Sequence, residues 1–223
     1  MILPGSAPVN SFCFAPKFDS PQRHDASGAF LPYMEAFAKL YGGGQRRVTT
    51  LPFDNHANAE TEFSAISAAF DRIPGKLDAI VYFGHGEPFG MVSSDIYTKD
   101  IMKLAQLIKR KSVRGVRVVL FACSCGKTDY PGGSFAARLA AALRDIEAVV
   151  FGHHNVGHTV TNANLYRYTG DLHPDPVAPT GKFTAFDRML KAESLDQKPR
   201  GNTAFWARIP FMTPDEIRAE VAR

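Results

Sequence analysis

The chain alternates between short runs of apolar residues and longer stretches in which apolar residues recur at helical spacing. Short apolar runs without polar alternation are typical of strands that are buried on both faces of a parallel sheet. Because parallel strands need an intervening segment to return the chain, this alternation predicts α/β crossovers. The sequence predicts five buried strands, at residues 11–14, 48–53, 77–83, 116–122 and 148–151.

Between these strands, apolar residues follow the i, i+3, i+4, i+7 pattern of a helix with one buried face. Glycines 42–44 close the first predicted helix, and Pro74 with Gly75 closes the second. Thr98 and Ser134 are predicted N-caps of the third and fourth helices. The predicted fold class is therefore α/β, a three-layer sandwich with a mainly parallel central sheet. The predicted helices cover residues 33–41, 63–73, 101–108 and 135–146.

A length of 223 residues, with 45% hydrophobic and 22% charged residues, fits one globular domain. We expect residues 1–152 to form the core of that domain and residues 153–223 to form its less regular C-terminal part. That part is predicted to hold a proline-rich loop over 171–181, strands at 183–186 and 205–209, and a last helix that begins near Thr213.

The net charge of +4 is a weak indicator of partners. The basic residues between Lys109 and Arg117 fall where a helix is predicted to end, a position that favours cations, and no nucleic-acid-binding motif accompanies them. We therefore expect no nucleic-acid partner. The chain has no apolar run of the roughly 18 residues that a membrane span needs, no signal-peptide pattern, and an odd number of cysteines. These features predict a cytoplasmic protein without a membrane partner, and they predict no particular oligomeric state.

Two chemically reactive side chains follow two of the predicted strands. The third strand runs into His85 and the fourth runs into Cys123. Catalytic groups collect at the carboxyl ends of parallel strands, so the imidazole and the thiol are expected at the same edge of the sheet. A neighbouring imidazole raises the thiolate fraction of a cysteine, and the thiolate is the attacking species. Gly84 and Gly86 leave room for a substrate, and the amides of Gly86 and Cys123 can stabilise an oxyanion.

The blocks IVYFGHGE (80–87) and VVLFACSCG (118–126) resemble the clan CD cysteine peptidases. This group includes the caspases, gingipains, clostripain, separase and the cysteine peptidase domains of large bacterial toxins. The segment from Ser134 to Gly152 also resembles the helix and strand that follow the nucleophile in several bacterial members. Caspases have glutamine before Ala-Cys and a histidine about 50 residues upstream. Here Phe121 takes the glutamine position and the separation is shorter, so the chain is not a caspase in the narrow sense.

The resemblance implies a cysteine endopeptidase that hydrolyses peptide bonds through a thioester and needs no cofactor. It implies that His85 protonates the leaving amine, that Cys123 is the nucleophile, and that the amides of Gly86 and Cys123 form the oxyanion hole. It also implies a substrate pocket between the loops at 15–25 and 153–164. The expected partner is a peptide or protein substrate, and charges of both signs in these loops leave its preferred side chain open. The candidate substrate-binding residues are Asp19, Arg23, Asp129, His153 and His154.

Three alternatives stay open at the level of sequence. Cys125 is a second possible nucleophile, although Cys123 is favoured because it follows its strand directly. The chain can also be a catalytically inactive caspase-like interaction module. A metal-dependent hydrolase that uses His153, His154 and His158 is the third possibility, but the Cys-x-Cys spacing differs from the Cys-x2-Cys knuckle of zinc sites, and we expect no metal.

Overall fold

The computed structural model of the protein describes residues 8–18, 30–55, 59–155, 165–170 and 174–176. Strands and helices alternate along the chain, as the hydrophobic pattern predicts. In the described part of the chain the elements are β1 (Asn10–Pro16), α1 (Leu31–Tyr41), β2 (Arg47–Phe53), α2 (Ala59–Arg72), β3 (Leu77–Phe83), β4 (Gly90–Met91), β5 (Ile96–Tyr97), α3 (Ile101–Lys111), β6 (Ser112–Phe121), α4 (Phe135–Ala142), β7 (Val149–His153), β8 (Leu165–Tyr168) and β9 (Pro174–Pro176).

Seven of the strands form one sheet in the order β2-β1-β3-β6-β7-β8-β9. The first five in this order run parallel to one another, and β8 and β9 are antiparallel to their neighbours. The two-residue strands β4 and β5 form a separate hairpin that follows β3. All five predicted strands are present, and the prediction of an α/β fold with a mainly parallel sheet is confirmed.

Helices cover both faces of the sheet. On one face, α2, α3 and α4 bury residues such as Phe70, Leu104 and Leu139 against Ile80 and Val118. On the other face, α1 buries Tyr33 and Phe37 against Val81, Val119 and neighbouring strand residues. Burial of large apolar side chains on both faces is the main favourable contribution to folding, at about 25 cal/mol for each Å² removed from water. The arrangement is a three-layer α/β sandwich.

Two predicted details of the first half differ from the structure. The strand at 48–53 was expected to be buried on both faces, but β2 lies at the edge of the sheet and most of its residues are exposed or half-buried. Thr98 does not cap α3, because residues 98–100 form a 3₁₀ turn before that helix. The amide of Thr98 instead donates to the Phe89 carbonyl at 2.9 Å, which ties this turn to the hairpin. Ser134 caps α4 as predicted and accepts from the Ala137 amide.

The proline-rich segment also contains more order than its composition predicts. Pro174–Pro176 form the edge strand β9, paired antiparallel with β8. Proline is compatible with an edge strand because its missing N–H group can face away from the ladder. The predicted elements at 183–186, at 205–209 and after Thr213 lie outside the described residues.

The basic residues near the start of β6 are paired with acidic groups. Lys109 Nζ lies 2.8 Å from an Asp145 carboxylate oxygen, and Arg110 Nη2 lies 2.7 Å from one of Asp71. Arg114 pairs with Glu147. These side chains surround the amino-terminal end of β6, opposite to the end that carries Cys123. Among the described helices, none has the length and apolar character required to cross a membrane.

Candidate active site

His85 and Cys123 occupy equivalent positions beyond two neighbouring strands. β3 and β6 pair in parallel, and their last residues, Phe83 and Phe121, are opposite each other. The Gly84 amide extends this ladder by one bond to the Phe121 carbonyl, at 3.4 Å. Each of the two reactive residues therefore lies two positions after a paired strand end. The structure places the imidazole and the thiol at one edge of the sheet, on adjacent strands.

The main chain of His85 is held from both sides. Its amide donates to Ser93 Oγ at 2.9 Å, and its carbonyl accepts from the Tyr82 hydroxyl at 3.0 Å. The imidazole is exposed and contacts the Phe30 ring edge-to-face, with centroids 4.9 Å apart and an interplanar angle of 83°. An aromatic wall and a fixed backbone limit the orientations of the imidazole and leave one side of it open to solvent.

Cys123 begins a sharp turn between β6 and α4. Ser124 has a φ of 54°, in the left-handed region that non-glycine residues seldom adopt. The strained turn is held by its neighbours: the Ser124 amide donates to the Asn155 carbonyl at 3.2 Å, and the Gly126 amide donates to the His153 carbonyl at 2.8 Å. The buried Tyr168 hydroxyl donates to the Gly126 carbonyl at 2.8 Å. Backbone strain of this kind persists where the surroundings over-determine it, and it is common at functional sites.

The histidine loop and the cysteine turn touch at Gly86. A Cβ atom at this position would lie 2.6 Å from the Ala122 Cβ and 2.9 Å from the Cys123 carbonyl oxygen. Only glycine permits this approach without displacing the turn. Among the described residues, no group accepts a hydrogen bond from the Gly86 amide. A donor at this place is available to an oxygen that develops negative charge next to Cys123.

The three thiols differ in their access to solvent. Cys13 and Cys125 are fully buried, and burial raises the pKa of each thiol above its ordinary value. Cys125 Sγ donates to the Gly90 carbonyl at 3.3 Å, so this side chain packs between the turn and the hairpin. Cys123 is the partly exposed cysteine of the three. A buried, protonated thiol is a poor nucleophile, so the geometry favours Cys123 over Cys125.

The candidate substrate-binding residues occupy different environments. Asp129 is exposed in the loop after Cys123. His154 is half-buried and its Nδ1 atom accepts from the Thr128 amide at 3.2 Å, which joins the end of β7 to that loop. His153 was expected at the surface of the pocket, but the residue is 2% exposed and its ring lies beside Phe121, because His153 ends a buried strand. Asp19 and Arg23 lie outside the described residues.

The proposed histidine metal site is only partly described. His158 lies outside the described residues. Within the ranges that are described, no group of three or more His, Cys, Asp or Glu side chains is placed to hold a metal ion.

Sequence reasoning did not find Tyr82, Ser93 or Ser124. Tyr82 occupies an apolar position of a predicted strand, and Ser93 follows the site histidine in a loop of ordinary composition. A serine that is only 7% exposed becomes informative once its burial and its partner are known. The positive φ of Ser124 has no counterpart in composition or periodicity, because serine has no preference for that region.

A buried carboxyl lies behind the hairpin that carries Ser93. Glu62 of α2 is 2% exposed, and its Oε2 atom has no hydrogen-bond partner among the described residues. Burial, together with the nearby carboxylates of Asp95 and Asp54, raises the pKa of Glu62 to about 7. The folded state therefore binds this proton more tightly than the unfolded state, whose pKa is near 4.3. Stability from this group is fully present below about pH 4.3 and is lost as the pH rises towards about 7.

The variant Glu62→Gln is expected to remove this pH dependence. At pH 8 its free energy of unfolding should exceed that of the wild type by about 1–3 kcal/mol, and at pH 4.5 the difference should be close to zero. Urea unfolding at the two pH values measures the effect. Glu60→Gln, at an exposed position of the same helix, is the matched control and should show no such change. An advantage of equal size at both pH values would contradict the assignment.

The fold and the site define an α/β protein with an exposed imidazole and a partly exposed thiol at the carboxyl edge of its sheet. The family model described as a domain of unknown function (DUF8616) matches residues 52–175, which is more than half of the chain. The chain belongs to this family, and the matched region contains both His85 and Cys123. None of the curated proteins matches the chain.

Comparison with solved structures finds distant likenesses. A short-chain dehydrogenase/reductase from Serratia marcescens is 16% identical, with 65% of this chain and 72% of that chain covered and a TM-score of 0.35. An aromatic amino acid aminotransferase from Burkholderia cenocepacia is also 16% identical, with 90% of this chain and 41% of that chain covered and a TM-score of 0.40. At TM-scores this low, neither likeness carries an argument about the activity of this chain.

Proposed function

We propose that this protein is a cysteine endopeptidase that hydrolyses peptide bonds with His85 and Cys123. The observation that carries the proposal is the register of β3 and β6, in which Phe83 lies opposite Phe121 and the two reactive residues follow at equivalent positions. The resemblance of the His-Gly and Ala-Cys blocks to clan CD peptidases supports it. The exposure of Cys123, in contrast to Cys13 and Cys125, supports it further.

In the proposed reaction, the Cys123 thiolate attacks the carbonyl carbon of the scissile peptide bond. The oxyanion that forms accepts hydrogen bonds from the amides of Gly86 and Cys123. His85 donates a proton to the leaving amine as the carbon–nitrogen bond breaks, which leaves a thioester on Cys123. Water then attacks the thioester, His85 takes a proton from it, and the carboxylic acid and the free thiol are released. The steps need no external oxidant, reductant or metal.

The reactivity of Cys123 towards iodoacetamide tests the proposal without a known substrate. The thiol of an activated cysteine should be alkylated at pH 6 at least about tenfold faster than a thiol of pKa near 8.5, and His85→Ala should remove this advantage. The rate is measured by mass spectrometry of the peptide that contains Cys123. Cys13 and Cys125 are buried and should stay unmodified in the folded protein, and fragmentation of the peptide shows whether Cys123 or Cys125 carries the label.

Hydrolysis of a diverse peptide library supplies the second arm of the test. The wild type is expected to cleave a subset of the peptides, and both alkylation and Cys123→Ala should abolish that cleavage. If cleavage survives both treatments, the assignment of the nucleophile is wrong. If Cys123 reacts as an ordinary thiol with no dependence on His85, the chain is an inactive interaction module instead.

A further inference from the structure

Two side-chain hydroxyl groups bind the main chain of His85. The His85 amide must donate, so Ser93 Oγ is its acceptor, and the His85 carbonyl must accept, so the Tyr82 hydroxyl is its donor. Hydrogen bonding by the nearby Ser93 and Ser94 side chains opposes part of the increase that burial causes in the pKa of the Tyr82 hydroxyl. Tyr82 and Ser93 therefore bind the two polar main-chain groups of His85 and form one cluster with it.

The cluster of Tyr82, Ser93 and the His85 main chain is buried, although it supports an exposed imidazole. Tyr82 is 0% exposed and Ser93 is 7% exposed, and burial raises the pKa of the Tyr82 hydroxyl well above its ordinary value, which keeps it protonated. The centroid of the Tyr82 aromatic ring lies 5.2 Å from that of the Phe14 ring in the core. Hydrogen bonds in such an environment are stronger than in water, and an unsatisfied group there is costly. The cluster is consequently a rigid support for His85.

The surrounding residues leave little room for the His85 backbone to move. A Cβ atom at Gly84 would collide with the Tyr82 hydroxyl, so the strand end lies directly against the tyrosine. Ser94 Oγ donates to the Met91 carbonyl at 2.9 Å, which fixes the turn that carries Ser93. The hairpin is anchored in turn by the bond from Cys125 Sγ to the Gly90 carbonyl at 3.3 Å. The hairpin thus connects the histidine loop to the cysteine turn.

We infer that Tyr82 and Ser93 are positioning residues that hold the main chain of His85 so that its imidazole acts on Cys123. The inference rests on the proposed function of His85 and Cys123. Neither Tyr82 nor Ser93 is assigned a bond to substrate; each acts through His85. Small misplacements of a catalytic group cost large factors in rate, so loss of either hydroxyl should lower the reactivity that depends on His85.

The test measures the alkylation of Cys123 by iodoacetamide from pH 5 to pH 9 in Tyr82→Phe and Ser93→Ala. Near pH 6, Cys123 of each variant should be alkylated about three- to tenfold more slowly than Cys123 of the wild type. The pH profile of the rate should approach that of His85→Ala. Ser93→Thr keeps a hydroxyl and should restore the rate to within about twofold of the wild type. Ser11→Ala and Tyr97→Phe are matched controls, because each removes a hydrogen-bonding hydroxyl away from His85, and both should react like the wild type.

A double-variant comparison separates positioning from a general effect on folding. In a His85→Ala background, Ser93→Ala should produce no further loss of rate, because its effect passes through His85. An equal loss with and without His85 would overturn the inference. The inference would also be overturned if Tyr82→Phe and Ser93→Ala both reacted at the wild-type rate while the wild-type rate depended on His85. If the wild type shows no dependence on His85, the proposed function fails first, and the positioning role fails with it.

Discussion

Replacing Cys123 by alanine is expected to abolish peptide hydrolysis, with a fall in kcat of about four orders of magnitude or more. The variant lacks the sulfur that attacks the carbonyl carbon, and the remaining groups, His85 and the Gly86 amide, cannot form the covalent acyl intermediate. Loss of the nucleophile in other acyl-transfer enzymes has effects of this order or larger. Hydrolysis of a peptide selected from the library, at saturating concentration, measures kcat directly.

Two further cysteine variants make this result specific. Cys13→Ala removes a buried thiol from β1 and should leave hydrolysis unchanged. Cys125→Ala should keep most of the activity while it lowers the free energy of unfolding by about 1–2 kcal/mol, because a buried sulfur and its bond to the Gly90 carbonyl are lost. If Cys125→Ala is inactive and Cys123→Ala is active, the assignment of the nucleophile is reversed.

Replacing Gly86 by alanine should have the second-largest effect. The new methyl group would lie 2.5 Å from Cys125 Sγ, 2.6 Å from the Ala122 Cβ and 2.9 Å from the Cys123 carbonyl oxygen. The histidine loop and the cysteine turn must then separate, which costs about 1–3 kcal/mol of stability and moves His85 away from Cys123. A displacement of about 1 Å is sufficient for a loss of about a hundredfold in activity.

Combining Gly86→Ala with Cys125→Ala tests the cause of this loss. If collision with the sulfur contributes to the destabilisation, the double variant should be more stable than the sum of the two single changes predicts. Urea unfolding of all four proteins completes the cycle. Strict additivity would show that collision with the sulfur does not contribute, and full activity in Gly86→Ala would show that the site does not depend on the close approach at Gly86.

The fold could be predicted from the sequence because the patterns that indicate strands and helices are local and recur along the chain. Each of the five predicted strands is a short apolar run, and each is present in the sheet. Ser134 was found as an N-cap because a serine before an apolar helix satisfies an N–H group wherever that helix packs. The prediction that β2 is buried was wrong because a run of the same residue types serves an edge strand equally well, and the sequence does not show which strand lies at the edge.

The site could be predicted only where function depends on position along a strand. His85 and Cys123 follow strand ends, and a parallel sheet brings its strand ends to one edge, so their shared location needed no coordinates. The residues that support them come from elsewhere in the chain. Ser93 belongs to the hairpin after β3, and Tyr168 reaches the cysteine turn from β8. Their contacts depend on the packing of distant segments, for which no spacing rule exists.

The order of apolar and polar residues was thus sufficient to determine the class of fold, the strands and the edge at which the imidazole and the thiol emerge. Tertiary structure alone decided that β3 and β6 are neighbours in register, that Cys123 is partly exposed while Cys125 is buried, and that Tyr82 and Ser93 hold the backbone of His85. The physical reason is the range of the interactions. Periodicity and capping act between residues close in sequence, whereas burial and hydrogen-bond partners are set by segments that meet only after folding.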